Sequence, residues 1–369
     1  MGESQMNVLI LTGHFGQGHF SAAQTLGDEI RRSFSDVNIT LRDIFEYTIP
    51  NYSSRLYQGY TLLVNRAGKL YNWYYKFTEN WKRDIHPPFC RYFQAKLKTL
   101  IAETKPDMIV STLPFCSQLV SQYNLKNGQN IPLITCITDV STHREWINPG
   151  TTMYLVPCEA VRQNLIEKGI APGKVFISGI PVQEQFKANV HPLAKDGKHL
   201  LIMGGGLGML PRAKSFYQGL NGLKDVKTTI ITGKNRDLYQ RIHGRYENIE
   251  VVGYTDQVYR YMQEADLVIS KPGGITLFET IFSELPILVF SPYLQQEIKN
   301  AAFIENQKIG LVLPTRPEEC VEEIERVIHN DTQLERLRAN MQTFKAGIDS
   351  DAILKIVTGM RSGLEVRAS

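Results

Sequence analysis

Short runs of Val, Ile and Leu alternate with longer amphipathic segments along most of the chain. Runs this short and this uniformly apolar are typical of strands that are buried on both faces of a parallel sheet. The amphipathic segments repeat their apolar positions every three or four residues, as residues 20–33 do, which predicts helices. The pattern predicts strands at residues 6–12, 37–41, 108–111, 131–137, 153–156, 175–177, 199–203, 228–231, 249–252, 267–269, 287–290 and 311–313.

These elements fall into two cycles, and each cycle opens with a strand and a glycine-rich loop. The loops are residues 13–19 and 204–208, and a polar segment at 179–197 separates the cycles. A chain of 369 residues is too long for a single core. We therefore expect an α/β fold with two Rossmann-like, doubly wound parallel-sheet domains that face each other across a cleft. The expected domains are residues 1–190 and 191–369, with the last helix packing back on the first domain.

Composition narrows the class of protein. The hydrophobic fraction of 43% and the charged fraction of 21% are ordinary for a soluble globular protein. No apolar run reaches the length of a membrane span, and the chain begins with a strand-like segment rather than a signal peptide. The cysteines lack metal-ligand spacing, so we expect reduced thiols in a cytoplasmic protein; they are Cys90, Cys116, Cys136, Cys158 and Cys320.

Positive charge is concentrated in residues 51–100. Residues 1–190 contain 19 Lys and Arg against 15 Asp and Glu, whereas the rest of the chain is balanced. This basic aromatic insertion favours the headgroup level of an anionic membrane. The alternatives are a packed helical insertion with a solvated charged face and a nucleic-acid surface, but no nucleic-acid motif is present and we expect no such partner. Its basic residues are Arg55, Arg66, Lys69, Lys76, Lys82, Arg83, Arg91, Lys96 and Lys98, and its aromatic residues are Tyr52, Tyr57, Tyr60, Tyr71, Trp73, Tyr74, Tyr75, Phe77, Trp81, Phe89, Tyr92 and Phe93.

A strand, a glycine turn and a helix start follow one another at residues 266–279. Gly273 and Gly274 let the backbone turn tightly after the strand. The helix start presents free N–H groups and a positive dipole end, which together form an anion site for a phosphate. Thr276 lies in the first turn, and Glu279, one turn further, could accept hydrogen bonds from a ribose diol. The alternative is an ordinary turn followed by a surface glutamate.

Another glycine-rich segment, residues 12–19, follows the first strand and opens a helix. It has neither the spacing of a dinucleotide-binding loop nor the lysine of a P-loop. His19 stands at the helix start, where the helix dipole disfavours imidazolium and keeps the ring able to accept a proton. The alternative is a histidine that only caps the helix.

The polar loop at residues 138–146 follows a buried strand and contains Asp139, His143 and Trp146. Such side chains must be exposed in the cleft or hydrogen-bonded. Asp139 could orient a histidine or receive the proton of an acceptor hydroxyl. Trp146 could belong to the core or form a platform for a sugar.

The second cycle offers further polar contacts. The loop at 204–208 is another phosphate site, and Gln296, Glu297 and Asn300 have helical spacing that suits contacts to sugar hydroxyls, or simply a polar first turn. No set of His, Cys and carboxylates has metal-ligand spacing. Two glycine-rich helix starts can neutralise a diphosphate leaving group without a metal, so we expect no metal and no cofactor.

These motifs carry a resemblance that spans nearly the whole chain. The chain resembles the monogalactosyldiacylglycerol synthase and processive diacylglycerol glucosyltransferase family, within glycosyltransferase family 28, which is related to the peptidoglycan lipid-intermediate N-acetylglucosaminyltransferase. The matching positions are 16–19, 138–139, 143, 146, 156–160, 179–182, 203–208, 233–235, 253–256, 265–279, 296–297 and 300–301.

The resemblance implies a GT-B fold, a UDP-sugar donor in the second domain, inversion at the anomeric carbon and a lipid acceptor reached from the membrane face of the first domain. It implies that His19 is the catalytic base, with Asp139 as its partner or alternative, and that Glu279 binds the ribose. It also implies three sets of contacts to the donor. The uracil would be bound by Gly253, Tyr254 and Thr255. The diphosphate would be bound by Gly206, Gly274 and Thr276, with Gly273 in the same turn, and the sugar would be bound by Gln296 and Glu297.

The expected function is therefore transfer of a hexose from a UDP-sugar to a lipid acceptor, foremost diacylglycerol, by an enzyme peripheral to the inner face of the cell membrane. One alternative is a glycosyltransferase with another lipid acceptor. A second is a sugar-nucleotide epimerase on the same scaffold, which would not need the basic aromatic insertion. A third is a non-catalytic nucleotide-sugar sensor, which would not need His19 and Asp139.

Overall fold

The computed structural model describes residues 5–79, 90–188 and 197–368. The chain divides into two compact units. The first unit contains the residues up to Pro181 together with those from Ile348 onward, and the second contains Val182–Gly347. The domain boundary expected after residue 190 lies outside the described residues.

The first unit is built on a sheet of six parallel strands in the order β2-β1-β3-β4-β5-β6. On β1, Val8 and Ile10 enter one core while Leu9 and Leu11 enter the core on the opposite face. Burial on both faces is the reason that the strand reads as one continuous apolar run. The strands are β1 (Met6–Thr12), β2 (Val37–Asp43), β3 (Met108–Ser111), β4 (Leu133–Cys136), β5 (Met153–Val156) and β6 (Val175–Ile177).

Helices cover both faces of this sheet, including the final helix of the chain. Ile353, Ile356 and Val357 of that helix are buried in the same core as Ala23 and Leu26. Each such aliphatic side chain contributes about 1.5–3 kcal/mol when it is removed from water, which holds the end of the chain in the first unit. The helices are α1 (Gly18–Ser33), α2 (Ile44–Thr48), α3 (Pro50–Arg66), α4 (Gly68–Glu79), α5 (Cys90–Thr104), α6 (Pro114–Asn127), α7 (Glu159–Glu167) and the final helix α15 (Ala352–Ala368).

In its described part the basic aromatic insertion is helical except at Ala67, and it comprises α3, α4 and most of α5. Residues 80–89, which include Trp81, Lys82 and Arg83, lie outside the described residues. Helix α6 was not among the predicted elements. It buries polar as well as apolar side chains, among them Ser117, Ser121 and Asn124, so its sequence lacks the amphipathic period of a surface helix.

The second unit has its own sheet of six parallel strands, in the order β12-β11-β10-β7-β8-β9. This is the strand order of a doubly wound dinucleotide-binding fold. The strands are β7 (Lys198–Met203), β8 (Val226–Ile231), β9 (Ile249–Val252), β10 (Leu267–Ser270), β11 (Ile287–Val289) and β12 (Gly310–Val312). The helices are α8 (Lys214–Asn221), α9 (Arg236–Ile242), α10 (Val258–Glu264), α11 (Gly274–Phe282), α12 (Gln295–Asn306), α13 (Pro317–Ile328) and α14 (Asp331–Ala346).

Each predicted strand is present, and the expectation of two doubly wound parallel sheets is confirmed. The strand order reverses at one point in each sheet, between β1 and β3 and between β7 and β10. Ligands of such sheets bind beyond the carboxyl ends of the strands at these switch points. Among the described helices, none is both long enough and apolar enough to cross a bilayer.

Candidate functional site

His19 lies at the switch point of the first sheet, in the first turn of α1. Its Nδ1 atom is 2.9 Å from the carbonyl oxygen of Thr112, which follows β3, and 2.7 Å from Oγ1 of Thr138, which follows β4. A carbonyl oxygen only accepts hydrogen bonds, so Nδ1 carries the hydrogen and Nε2 keeps the lone pair. The loops after three adjacent strands thus fix the tautomer of the ring.

The surroundings of His19 keep its ring neutral. Burial lowers the pKa of His19, while the nearby carboxylate of Asp139 and the hydrogen bond to Thr112 act in the opposite direction. The direction agrees with the expectation for a base, but its main cause is desolvation rather than the helix dipole. The structure therefore brings the two predicted catalytic residues, His19 and Asp139, into electrostatic contact.

The polar loop that carries Asp139 is largely turned inward. His143 is buried, and Trp146 is only 1% exposed, with its ring centroid 6.2 Å from that of His19. Arg144 is hydrogen-bonded to the carbonyl of Ile147 at 2.7 Å. Of the two interpretations of Trp146, the structure supports a core residue rather than an exposed sugar platform.

A second histidine of the same glycine loop, His14, pairs with a carboxylate, Asp43, and neither residue was predicted from the sequence. His14 donates from Nδ1 to Oδ2 of Asp43 at 2.7 Å, and its ring stacks on Phe20 with centroids 4.0 Å apart. Asp43 is buried at the end of β2 and also accepts from the Tyr57 hydroxyl and from the backbone N–H groups of His14, Phe45 and Glu46. Burial, and then the bond to Asp43, raise the pKa of Tyr57.

The structure also corrects the expectation that no residues are grouped like metal ligands. The ligand atoms of His14, Asp43 and Glu46 lie within 4.8 Å of one another. However, the oxygens of Asp43 already accept five hydrogen bonds, two of which cap α2. We therefore assign this cluster to the support of the glycine loop. No local sequence signal joins Asp43 to a loop 29 residues earlier.

In the second unit, the predicted anion site is a helix start without a side-chain cap. Strand β10 ends at Ser270, Gly273 is the N-cap of α11, and no side chain caps the helix. The first N–H groups of a helix have no partner within it, and the space beside Gly273 is open. Thr276 lies in the first turn of α11, as predicted from the sequence. This end of α11 has the geometry to receive an anion.

Glu279 follows one turn further along α11. Burial raises its pKa to about 7, although the side chain keeps part of its surface accessible. A carboxylate in such surroundings is stabilised by any ligand that donates hydrogen bonds to it. A vicinal diol supplies two such donors.

The glycine loop at residues 204–208 differs from the prediction, because it is not a helix start. Helix α8 begins only at Lys214. The loop instead folds against the end of β8: Gly208 has a φ of +61°, and a Cβ there would lie 1.9 Å from the carbonyl oxygen of Thr232. The Lys234 N–H donates to the carbonyl of Gly206 at 3.0 Å. The turn at Gly273 leads directly into a helix, whereas the loop at residues 204–208 does not.

Lys271 had no predicted role, but it contacts Glu297, one of the residues predicted to bind the sugar donor. Its Nζ donates to Oε1 of Glu297 at 3.0 Å and approaches the sulfur of Met209 to 3.9 Å. Glu297 and Gln296 both belong to the first turn of α12. Lys271, Met209 and Glu297 line a cavity of about 450 Å³. The position of Lys271 directly after β10 was the sequence signal that could have identified this residue.

Asn300 is buried beneath this region and is not exposed to a ligand. Its side chain is buried, and its amide donates to the carbonyl of Pro272 at 2.8 Å. That bond fixes the turn that precedes α11. Asn300 is therefore a supporting residue rather than an exposed sugar contact.

The segment predicted to hold uracil follows β9. Tyr254 is 62% exposed, and the Lys234 ammonium lies 5.6 Å from its ring centroid. The hydroxyl of Thr255 accepts from the N–H of Gln257 at 3.0 Å, and the space beside Gly253 is open. Because Lys234 also bonds to the glycine loop, it connects this segment with Gly206.

Two families match successive parts of the chain. Residues 19–182 match monogalactosyldiacylglycerol (MGDG) synthase, and residues 199–351 match the glycosyltransferase family 28 C-terminal domain. The chain is 28% identical over 361 residues to a processive diacylglycerol β-glucosyltransferase of Bacillus licheniformis, covering 94% of this chain and 93% of that protein.

Solved structures with the same fold include two kinds of enzyme. One is MurG of Acinetobacter baumannii, with a TM-score of 0.64, 13% identity and coverage of 97% of this chain and 99% of that one. Another is UDP-GlcNAc 2-epimerase of Neisseria meningitidis bound to UDP-GlcNAc, with a TM-score of 0.57, 14% identity and coverage of 96% and 99%. At such identities the likeness concerns the fold alone, which is the GT-B fold. Over nearly its whole length the chain is thus similar to the monogalactosyldiacylglycerol synthase and processive diacylglycerol glucosyltransferase family, and it is a glycosyltransferase.

Proposed function

We propose that this glycosyltransferase moves a hexose, with inversion, from a UDP-sugar to a lipid acceptor, diacylglycerol, at the surface of an anionic membrane. The observation that carries the proposal is His19, a neutral histidine whose Nδ1 is held by the Thr112 carbonyl and whose Nε2 can accept a proton. The name of the Bacillus licheniformis relative supplies the acceptor and the β-glucosyl product.

The donor site is assigned to the second unit. The first N–H groups of α11, with Gly274 and Thr276, receive the diphosphate beside Gly206, and Glu279 accepts both ribose hydroxyls. The open space at Gly253 suits a flat base next to Tyr254 and Thr255. Gln296 and Glu297 hold the hexose. The N-terminal end of α11 and the ammonium of Lys271 provide positive potential, so we propose that no metal is needed.

The chemical step needs one base and one stabilised leaving group. As the acceptor oxygen attacks the anomeric carbon, its proton passes to Nε2 of His19 and a new C–O bond forms. The bond from the anomeric carbon to the β-phosphate oxygen breaks, and UDP leaves with the electron pair. UDP-glucose carries its glucose in the α configuration, so a β product requires attack from the opposite face. Asp139 stabilises the imidazolium that forms.

The membrane assignment rests on the outer surface of α3 and α4. Trp73 and Phe77 are 62% and 55% exposed, and their rings stack with centroids 5.3 Å apart. Exposed aromatic and aliphatic side chains among cations suit the headgroup region of an anionic bilayer. The surface also includes the exposed residues Tyr52, Leu56, Leu62 and Leu63 with Arg55, Lys69 and Lys76.

An epimerase is the second candidate, because the UDP-GlcNAc 2-epimerase of Neisseria meningitidis has the same fold. An epimerase could use the same nucleotide site. A reaction between water-soluble substrates leaves the exposed Trp73 and Phe77 without a role. We therefore favour the glycosyltransferase reaction with a lipid acceptor.

The test is incubation of the protein with radiolabelled UDP-glucose, UDP-galactose or UDP-GlcNAc and vesicles of diacylglycerol with phosphatidylglycerol. We expect a labelled glycolipid from one donor, unchanged by EDTA, and its loss with His19→Gln. Release of an epimerised sugar nucleotide without labelled lipid would support the second candidate. Strict dependence on an added divalent cation would contradict the metal-free donor site.

A further inference from the structure

Helix α4 has two distinct faces. Trp73, Lys76 and Phe77 are exposed on one face, whereas Tyr75 and Thr78 are buried on the other. The exposed face is part of the surface that we assign to the lipid bilayer. The buried face lies against the turn at Arg144–Trp146 in the loop that carries Asp139.

His143 fastens the buried face of α4 to that loop. The side chain is 4% exposed, its Nε2 lies 3.2 Å from the Tyr75 carbonyl oxygen and 3.1 Å from the Thr78 hydroxyl, and its ring centroid is 4.5 Å from that of Tyr75. Its Nδ1 accepts from the backbone N–H of Glu145, so Nε2 carries the hydrogen and donates to Tyr75. A second bond joins the Tyr75 hydroxyl to Ser141 at 3.1 Å.

The same loop reaches His19 at its other end. Thr138 Oγ1 is 2.7 Å from Nδ1 of His19, and Asp139 acts on His19 electrostatically. Only four residues lie between Thr138 and His143, and this segment is held where Lys168 donates to the Thr142 carbonyl at 2.9 Å. A shift of α4 is therefore transmitted over a short, well-packed stretch of backbone.

We propose that His143 is a positioning residue that couples the bilayer-facing helix α4 to the geometry of His19 and Asp139. This inference rests on the proposed function. Docking of Trp73 and Phe77 on anionic lipid holds α4 against the loop, and the loop then holds Thr138 and Asp139 at His19. The enzyme is consequently most active where its lipid substrate is found, and His143 makes that link without touching substrate.

The coupling predicts a particular kinetic pattern. Loss of the His143 contacts lets the loop relax, so Asp139 supports the imidazolium less well and kcat falls. Displacement of catalytic groups by about 1 Å costs on the order of a hundredfold. The donor site in the second unit is unaffected, so the KM for the UDP-sugar stays constant. The charged groups concerned are Asp139 beside His19 and Glu145, whose Oε2 lies 3.5 Å from Nδ1 of His143.

The experiment compares full-length variants in two assays. His143→Ala removes the clamp, His143→Gln keeps a donor for the Tyr75 carbonyl, and Tyr75→Phe removes the hydroxyl that bonds to Ser141. His329→Ala, at the exposed end of α13, is the matched control. The assays are kcat and KM on vesicles of phosphatidylglycerol and diacylglycerol, and the pKa of His19 measured by NMR of histidine-labelled protein, with His19→Gln identifying the signal.

We expect His143→Ala to lower kcat about 10- to 100-fold with an unchanged donor KM, and to lower the pKa of His19 as Asp139 withdraws. His143→Gln should recover most of both values, and Tyr75→Phe should lie between. Phosphatidylglycerol vesicles should raise the pKa of His19 in the parent protein but not in a Trp73→Ala/Phe77→Ala variant.

Two outcomes overturn the coupling. One is normal kcat in His143→Ala, and the other is a loss of activity with the pKa of His19 unchanged, which would indicate a purely structural role. If the parent protein transfers no sugar to lipid, the proposed function fails, but the NMR titration still decides whether His143 and lipid act on His19.

Discussion

The Nδ1 atom of His19 and the carbonyl oxygen of Thr112, 2.9 Å apart, decide which ring nitrogen can react. Because the carbonyl only accepts, the hydrogen stays on Nδ1 and the lone pair stays on Nε2. This hydrogen bond joins the segments that follow β1 and β3. These two strands are adjacent, and the strand order of the sheet reverses between them. The fixed tautomer of this candidate base is thus a consequence of the sheet order.

The first prediction concerns this base. His19→Ala should lower kcat by about 100- to 10,000-fold, the usual contribution of a general base, while the affinity for UDP should change little because the proposed nucleotide site is in the second unit. Asp139→Asn should act in the same direction, and the double variant should be no worse than the stronger single one if the two act as a unit. Steady-state kinetics and calorimetry of UDP binding provide the measurements.

The assignment can fail in two separable ways. Near-normal turnover of His19→Ala with inactive Asp139→Asn would transfer the role of base to Asp139. Full activity of both variants would remove the catalytic site from this loop pair. His329→Ala serves here too as a substitution of an exposed histidine in the other unit.

The second prediction is a pH dependence of donor binding. Burial raises the pKa of Glu279 to about 7, and only the ionised carboxylate can accept both ribose hydroxyls. The affinity for the donor should therefore be highest above pH 7 and should weaken by up to tenfold for each pH unit below it. UDP-glucose is the ligand of choice, because it lacks the terminal phosphate ionisation of UDP. Calorimetry between pH 5.5 and 8.5 makes the measurement.

Glu279→Ala should remove this pH dependence and weaken binding by about 2 kcal/mol, as expected for lost hydrogen bonds to a charged group. Glu305→Ala, an exposed glutamate of α12, is the control and should retain the parent profile. Equal affinity of the Glu279 variant and the parent at pH 8 would exclude this residue from the nucleotide site.

The third prediction concerns lipid binding. Vesicle binding should need anionic headgroups and should fall as salt screens the charges of Arg55, Lys69 and Lys76. Trp73→Ala with Phe77→Ala removes two exposed aromatic side chains. At about 1.5–3 kcal/mol for complete burial of such a side chain, and less for partial insertion, binding should weaken at least tenfold. Sedimentation with vesicles of defined composition measures the effect.

Leu125, which is 62% exposed on α6, provides the control, since Leu125→Ala removes an exposed apolar side chain outside the insertion. The proposed surface would be refuted by equal sedimentation with neutral and anionic vesicles at all salt concentrations.

The sheets could be predicted from the sequence because central strands such as β1 are buried on both faces and read as apolar runs, as Leu9 and Ile10 illustrate. Helix α6 could not, because its buried hydroxyl groups disguise the apolar period. His19, Asp139 and Glu279 stand next to glycine turns or strand ends and were identified as candidates for that reason. The bonds of His14 to Asp43 and of His143 to Tyr75 join residues far apart in the chain, so no local pattern indicates them.

The last prediction tests the support of the glycine loop by Asp43. Its carboxylate is 2% exposed as a side chain and accepts hydrogen bonds from His14, Phe45, Glu46 and Tyr57. Asp43→Ala leaves these donors without a partner and removes the cap of α2, which should destabilise the first unit by about 3–5 kcal/mol. Tyr57→Phe removes one donor only and should cost about 1–2 kcal/mol. Tyr47→Phe is the matched control, because that hydroxyl makes its bond to Glu103 at the surface and its loss should cost less than about 0.5 kcal/mol.

The measurements are urea unfolding and hydrogen exchange of the backbone amides of α1 and α2, which report on the first unit and not on the second. If Asp43→Ala were as stable as Tyr47→Phe, the five hydrogen bonds would not support the loop, and the group of His14, Asp43 and Glu46 would need another explanation.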